Sequence, residues 1–178
     1  GGMVDNPDTG DSYYPTTTTA IDPVYIPAPL GALFEPAATN LHTSSEAYAT
    51  GHVLTNVAVV DDAVTGPSGQ TDASTVTGNS AGYASFYKLI TLSGVNTITW
   101  SGFFKAGTCN WFALGTYDGT ADVRQYYNLT TGVLGSTSGG TIEDAGIEDC
   151  GNGWYRCWCT RTTNVAMTTA ELAAAPTP

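Results

Sequence analysis

Chemically capable side chains are concentrated in one eleven-residue stretch, DCGNGWYRCWC, towards the end of the chain. It contains Cys150, Cys157 and Cys159 together with two of the four tryptophans. A structural zinc site needs a second close pair of Cys or His ligands, and no such pair accompanies Cys157 and Cys159. The spacing therefore favours buried free thiols at these two positions. A disulfide between Cys109 and Cys150 is the alternative, because both cysteines lie beside predicted strands.

Four carboxylates lie close together in the sequence TIEDAGIEDC: Glu143, Asp144, Glu148 and Asp149. A solvated loop is the favoured interpretation of such a cluster. The second is a structural Ca²⁺ site completed by backbone carbonyls, for which Asp61-Asp62 is a weaker candidate. A glycoside hydrolase needs two carboxylates about 5–10 Å apart, and this is the least favoured interpretation. No catalytic residue and no cofactor other than a possible Ca²⁺ is predicted.

The two histidines, His42 and His52, are ten positions apart near the start of the predicted domain. Neither lies in a nucleophile elbow or in a zinc-type spacing. We therefore expect both to be ordinary surface or loop histidines. The sequence does not point to an enzyme.

Charge and length restrict the class of protein further. The chain has 178 residues, 5 Lys and Arg against 16 Asp and Glu, and a net charge of −11. Such a field repels phosphate backbones and anionic lipids, so neither a nucleic acid nor a membrane is an expected partner. The length predicts one domain. Low charge and abundant Gly and Thr are typical of an extracellular or particle-borne β protein.

Short apolar stretches separated by turn residues begin near Leu30. Six of them fit strands of about five to eight residues: HVLTNVAVVDD, SFYKLITL, TITWSGFFKAG, NWFALGTY, VRQYYNL and WYRCWCT. This pattern predicts an all-β fold, an antiparallel β-sandwich spanning residues 30–165. Residues 1–29 are rich in Pro and Thr and predict an extended arm. Residues 166–178 predict an Ala/Pro-rich tail or linker containing a short helical turn.

The alternation along each strand assigns side chains to two faces. In the WYRCWCT strand, Tyr155 and both cysteines face inward, because cysteine is among the most buried residue types. The side chains placed on outward faces are Trp154, Arg156, Trp158, Trp111 and Tyr126. Outward aromatics beside polar groups are typical of carbohydrate-binding surfaces, of protein interfaces and of edges covered by loops. These five residues are the candidate site, and all three interpretations stay open.

Several stretches together resemble one family. In order they are LGALFEPAATNL, VTGPSGQTDASTVT, FFKAGTCNWFAL, YYNLTTGVLGS and EDCGNGWYRCWCT. As a set they are similar to a jelly-roll domain of tailed-phage and prophage virion proteins, which itself resembles carbohydrate-binding modules and concanavalin-like sandwiches. The resemblance covers residues 30–163. Domains of this kind continue for several dozen residues beyond the WYR strand, so here we expect a shortened closing strand at residues 164–169 or a covered sheet edge.

The resemblance implies a non-enzymatic virion structural protein, such as a capsid decoration protein, head fibre or tail-fibre component. Its expected partners are other virion proteins of the capsid, portal or tail, further copies of itself, and glycans. Its expected location is the virion or the extracellular space. The alternative is a carbohydrate-binding module of a secreted bacterial polysaccharide-degrading enzyme. The EPAATNL segment after a Pro-rich arm favours the virion interpretation.

Overall fold

The computed structural model describes residues 4–5, 12–13, 39–42, 47–79, 84–163 and 169–177. The chain divides into two units, Gly1–Thr39 and Asn40–Pro178. In the first, strands β1 (Val4–Asp5) and β2 (Ser12–Tyr13) pair antiparallel. The remainder of the predicted arm lies outside the described residues, as does most of the EPAATNL segment.

The second unit is built almost entirely from strands, which confirms the all-β prediction. A single-turn helix, α1 (Tyr48–Gly51), comes first. The strands that follow are β3 (Val53–Thr55), β4 (Val57–Thr65), β5 (Thr71–Gly78), β6 (Ser85–Thr91), β7 (Thr97–Lys105), β8 (Trp111–Tyr117), β9 (Asp122–Asn128), β10 (Val133–Ser138), β11 (Asp144–Asp149), β12 (Trp154–Thr162) and β13 (Thr169–Thr177). No helix in the described part of the chain is both long and apolar enough to span a membrane.

These strands form three antiparallel sheets. The six-stranded sheet has the order β10-β9-β8-β13-β6-β3, the three-stranded sheet has the order β11-β12-β7, and β4 pairs with β5 in a hairpin. All neighbouring strands run antiparallel, as predicted.

Asparagine and glycine residues form the turns on either side of β10 and β11. Between β9 and β10 the Asn128 side chain accepts hydrogen bonds from the backbone N–H groups of Thr130 and Thr131. Gly132 then adopts a φ of 67°, which glycine reaches without steric cost. The turn before β12 likewise uses positive φ at Gly151, Asn152 and Gly153.

Burial alternates along the strands as the sequence pattern predicts. In β7, Ile98 and Trp100 are buried while their neighbours are exposed. In β12, Cys157 and Cys159 are fully or almost fully buried and face Gly102 and Trp100 of β7 in the register. The cysteines fill the core beside the β7 aromatics.

One core joins the two larger sheets. Its buried members come from both sheets: Phe86, Ile90, Phe112, Leu114 and Tyr127 from the six-stranded sheet, and Ile98, Trp100, Cys157 and Cys159 from the three-stranded sheet. The ring centroids of Phe104 and Phe112 are 4.1 Å apart. The Tyr127 hydroxyl on β9 donates a 2.5 Å hydrogen bond to the Trp158 carbonyl on β12.

A buried ion pair also connects the two sheets. Arg161 on β12 donates to Asp118, in the turn after β8, at 2.6 Å, with side-chain exposures of 3% and 0%. Arg161 also donates to the Thr116 hydroxyl and backbone carbonyl, and Asp118 accepts from Thr120 and Ala121. Because both charges have several partners, the pair can remain in a water-excluded environment.

Two local expectations are wrong. Residues 144–149 form strand β11 and not a solvated loop, because Asp144 through Asp149 pair along β12. The predicted helical turn near the C-terminus is instead strand β13, which lies between β8 and β6. Pairing decides both segments: β11 forms a hairpin with the next strand, β12, and β13 pairs with the distant strands β6 and β8. The small and acidic residues of these segments give no strand signal of their own.

Candidate functional site

The outward face of the three-stranded sheet carries the most distinctive exposed side chains. Cross-strand register places its members in rows. They are Thr97, Thr99, Ser101, Phe103 and Lys105 on β7, Trp154, Arg156, Trp158, Thr160 and Thr162 on β12, and Asp144, Gly146 and Glu148 on β11. We call this surface the Trp158 face.

The Trp158 indole lies against the sheet directly over Gly146. A Cβ atom added at Gly146 would lie 2.1–2.7 Å from three atoms of the indole ring, so only glycine leaves room for it. The indole Nε1 donates a 2.9 Å hydrogen bond to the Asp144 carboxylate. Close packing below and a hydrogen bond at the edge fix the orientation of this half-buried ring.

Two further side chains extend the surface around this ring. The guanidinium carbon of Arg156 is 5.2 Å from the centroid of the Trp158 ring, within cation–π range. Phe103 faces Arg156 across the β7–β12 pair and is 50% exposed. The result is an exposed surface with aromatic and cationic contacts on rigid strands.

Hydroxyl groups continue the face on the other side of Trp158. The Thr99 and Thr160 hydroxyls are 2.9 Å apart, and those of Thr97 and Thr162 are 2.8 Å apart. Each pair uses one of its protons internally and keeps further hydrogen-bonding capacity for a ligand. The Trp158 face thus has an aromatic half and a hydroxyl-rich half next to each other on one sheet.

The five predicted surface residues do not form one site. Trp158 and Arg156 are neighbours, but Trp154 is only 8% exposed despite its outward parity, so it cannot present an open ring. Trp111 and Tyr126 belong to the six-stranded sheet. There the half-buried Trp111 ring packs over Gly135, within 2.6 Å of where a Cβ would lie.

The four clustered carboxylates have separate roles. Glu143 accepts from the Thr162 backbone N–H, Asp144 from the Trp158 indole and Asp149 from the Gly151 N–H, while Glu148 is exposed. Among the described residues, no group of three or more His, Cys, Asp or Glu side chains comes close enough to hold a metal ion. The carboxylates are spread along a strand rather than converging on one point.

The second candidate for a cation, Asp61-Asp62, lies at a bulge of β4. Asp61 accepts hydrogen bonds from the backbone N–H groups of Tyr48 and Ala49 at the start of α1, and from the Ser74 hydroxyl. Asp62 adopts a positive φ of 52°. The arrangement holds α1 against β4.

All four cysteines are free thiols, as favoured for Cys157 and Cys159, and the alternative of a Cys109–Cys150 disulfide is not formed. Cys109 is half-buried in the loop before β8, and Cys150 is exposed at the turn after β11. Burial raises the pKa of both Cys157 and Cys159 to about 12. A thiol with so high a pKa is protonated at neutral pH and is a poor nucleophile and a poor metal ligand.

The histidines form a pair that the sequence did not reveal. The Nε2 atoms of His42 and His52 are 2.7 Å apart. His42 is buried and stacks on Trp100, while Tyr48 and Phe86 pack around His52. Both histidines lie in loops, as expected, but His42 is buried and not at the surface. Each residue lacks a motif of its own, and only the fold brings them together.

The surroundings keep the pair neutral. Burial, the neighbouring His42 and the positive charge of Lys88 lower the pKa of His52 to about 4, and burial and Lys88 also lower the pKa of His42. The Nδ1 atoms of both rings are buried without a hydrogen-bond partner. One Nε2 proton shared between the rings satisfies both Nε2 atoms.

A comparison with protein-family models finds no match, and a comparison with curated proteins finds none either.

Proposed function

We propose that this chain is a non-enzymatic attachment protein of a phage-type particle, with a jelly-roll β-sandwich that presents the Trp158 face to a glycan. The observation that carries the glycan part is the Trp158 indole, held over Gly146 and tied to Asp144. A rigid aromatic surface loses little conformational entropy when a ligand stacks on it.

The chemistry of the face fits a sugar. A pyranose ring has an apolar face that stacks on an indole, and its equatorial hydroxyls reach sideways towards hydrogen-bonding groups. Thr99, Thr160 and Ser101 lie beside Trp158 in the register and can supply such groups. The exposed Arg156 and Glu148 side chains offer charged donors and acceptors at the other end.

Particle attachment is supported by the family resemblance and by the architecture. Shared core residues from two antiparallel sheets fit a sandwich of the jelly-roll type. Such domains on a virion are displayed in several copies, so we propose homo-oligomers, contacts to capsid, portal or tail proteins, and a virion or extracellular location. β13 (Thr169–Thr177) is consistent with a closed sheet, because it lies between β8 and β6, whereas the predicted closing strand at residues 164–169 lies almost entirely outside the described residues.

A carbohydrate-binding module of a secreted polysaccharide-degrading enzyme would use the same face. Discovery of genes for capsid and tail proteins beside the coding sequence would favour the virion proposal. Discovery of a catalytic domain joined to this chain would favour the module. Neither role requires a catalytic residue in the described sheets.

Contact with a protein is the second candidate for the Trp158 face. The 50% exposure of Phe103 favours it, because an apolar ring beside Trp and Arg is typical of interface hot spots. Such contact predicts self-association or binding to particle proteins that Phe103→Ser weakens while glycan binding remains.

Glycan binding is tested on an array and by affinity electrophoresis with two variants. Trp158→Ala removes the ring, and Gly146→Ala displaces it. We expect each to reduce binding at least tenfold, equivalent to about 1.4 kcal/mol. Gly107→Ala is the matched control, because a Cβ there has no neighbour within 4 Å. Absence of binding by the unaltered protein, or equal binding by all variants, would refute the glycan proposal.

Particle attachment is tested separately by sedimentation with purified capsids or tails and by light scattering. We expect co-sedimentation and a defined oligomer. A monomer that associates with no particle component contradicts the attachment proposal and leaves glycan binding to be judged on its own result.

A further inference from the structure

We infer that the Trp158 face selects glycans that carry carboxylate groups, with Arg156 and Lys105 as the residues that contact the anion. This inference rests on the proposed glycan binding and adds the chemical class of the ligand. It is carried by the distribution of the few positive charges over the molecule.

Five Lys and Arg residues are present in the whole chain. Arg161 is buried in its pair with Asp118, and Arg124 forms an ion pair with Asp122. Lys88 donates to the Gly51 carbonyl beside the histidine pair.

The remaining two, Lys105 and Arg156, form no ion pair with any described residue, and both are exposed on the Trp158 face. In a chain of net charge −11, the positive side chains that stay available to a ligand thus share one surface. The glycan proposal already assigns this surface to ligand binding.

Their placement suits a carboxylate beside a stacked sugar. Arg156 faces Phe103 in the β7–β12 register, and Lys105 is the next outward residue of β7. Diagonal neighbours of this kind have backbones about 7–8 Å apart, so both long side chains can reach one carboxylate once the Lys105 chain, whose end lies beside Gly153, turns towards Arg156. The Arg156 guanidinium is already held near the Trp158 ring, so an anion there meets an oriented donor pair.

Acidic residues on the same face belong to β11, and one of them, Glu148, faces Arg156 directly in the β11–β12 register. Asp144 and Glu148 belong to β11, whereas Lys105 belongs to β7, with β12 between them. Asp144 is engaged by the Trp158 indole. The carboxylates of the face are thus confined to β11, whereas Arg156 lies on the central strand β12 and Lys105 on β7. The carboxylate of a sugar stacked on Trp158 contacts Arg156 from the β7 side, away from Glu148, and the sugar hydroxyls point along the sheet towards the threonine pairs.

The net negative charge limits how the ligand is recognised. Long-range attraction of a polyanion is unfavourable at −11. Recognition of carboxylates must therefore come from short-range contacts with the two cationic heads, not from the overall field. The preference for carboxylated over neutral glycans should then depend on Arg156 and Lys105 individually.

The experiment uses a panel of carboxylated polysaccharides, namely polygalacturonate, alginate, hyaluronan and polysialic acid, each paired with its carboxyl-reduced neutral form. Binding is measured by affinity electrophoresis and calorimetry with the full chain. We expect at least one acidic polymer to bind tenfold or more tightly than its reduced form.

Variants then assign the contacts. Arg156→Gln and Lys105→Gln should each abolish most of the preference for the acidic form while binding of the reduced form changes less than twofold. Trp158→Ala should weaken both forms. Arg124→Gln is the matched control, because it removes an equal charge from the six-stranded sheet, and it should leave the preference unchanged.

The outcomes separate the two proposals. Binding that depends on Trp158 but is equal for acidic and reduced polymers overturns the carboxylate inference and leaves glycan binding standing. A preference that Arg124→Gln reduces as much as Arg156→Gln also overturns it, because net charge then explains the result. Failure of every polymer and every arrayed glycan to bind overturns both.

Discussion

At the scale of single residues, two buried polar pairs connect parts of the chain whose proximity the sequence did not predict. The Arg161–Asp118 pair joins two sheets, and both side chains are almost fully enclosed. The His42–His52 pair occupies an aromatic environment between Trp100 and Phe86. Neither pair could be identified from sequence spacing, because the partners are 43 and 10 positions apart.

Removing one member of the buried ion pair should be costly. Arg161→Ala leaves Asp118 charged and buried, and we expect the free energy of unfolding to fall by about 3–5 kcal/mol. Urea denaturation followed by circular dichroism measures this. The control is Arg124→Ala, which removes a more accessible ion pair and should cost about 0–1 kcal/mol. Equal effects in the two variants would contradict the structural role of Arg161.

The histidine pair should make stability fall in mild acid. The folded pKa of His52 is about 4, below the ordinary value of 6.5, so between these values the unfolded chain binds a proton that the folded chain excludes. Stability is therefore complete above about pH 6.5 and decreases as the pH falls towards about 4. Because His52 is only partly buried, we expect a loss of about 1–2 kcal/mol.

Urea denaturation at several pH values gives the slope of the free energy of unfolding against pH. A His42→Phe/His52→Phe double variant serves as the reference, since the carboxylates titrate equally in both proteins. The difference in slope between the two proteins gives the contribution of the histidine pair to the pH dependence of stability. The chain has two histidines in total, so their imidazole proton resonances report directly on the same titration. A His52 resonance that titrates near pH 6.5 would contradict the structure.

At the scale of elements, β12 and β13 have complementary roles. β12 is central in its sheet, places the cysteines in the core and presents Trp158 outward. The alternation of inward and outward residues along β12 could be predicted from the sequence, because each side chain suits either the core or the surface. β13 lies between β6 and β8, although its Ala-rich sequence predicts a different structure. Pairing on both sides decides its conformation.

Deleting residues 169–178 should therefore disrupt the six-stranded sheet. The deletion leaves β6 and β8 without their common neighbour and exposes two unpaired strand edges, which promote aggregation. We expect loss of cooperative unfolding and a shift to large species in size-exclusion chromatography. A synthetic peptide of residues 169–177, added to the truncated chain, should restore a folded protein that does not aggregate. A peptide of the same composition in scrambled order should not. A truncated chain that unfolds as the full chain does would show that β13 is dispensable.

At the scale of the whole molecule, buried residues of two sheets share one core, and cysteine reactivity reports on its opening. Cys150 is exposed and Cys109 is half-buried, whereas Cys157 and Cys159 are buried in that core. The pKa of about 12 further lowers the reactivity of the β12 thiols.

We expect two classes of thiol in alkylation followed by mass spectrometry. Cys150 and Cys109 should react in the native protein, and Cys157 and Cys159 only when the molecule unfolds. Raising urea to the unfolding midpoint should bring all four to similar rates. Resistance of Cys109 and Cys150 to alkylation unless a reductant is present would instead indicate the disulfide that the structure lacks.

The sequence predicted the strands with clear alternation, separated by turn residues. It did not predict β11, because acidic residues and glycine resemble a loop until β12 pairs with them. At the candidate site it placed Trp158 and Arg156 on one outward face. It could not show that Trp154 is covered or that Trp111 lies on another sheet.

By itself the sequence determined the all-β class, the inward position of Cys157 and Cys159, and the negative charge of the molecule. Local alternation, side-chain character and composition are sufficient to predict these properties. Tertiary structure alone decided that Gly146 lies beneath Trp158, that His42 meets His52, and that Arg161 meets Asp118. These contacts join residues on different strands or loops, and only strand register and sheet packing set the distances between them.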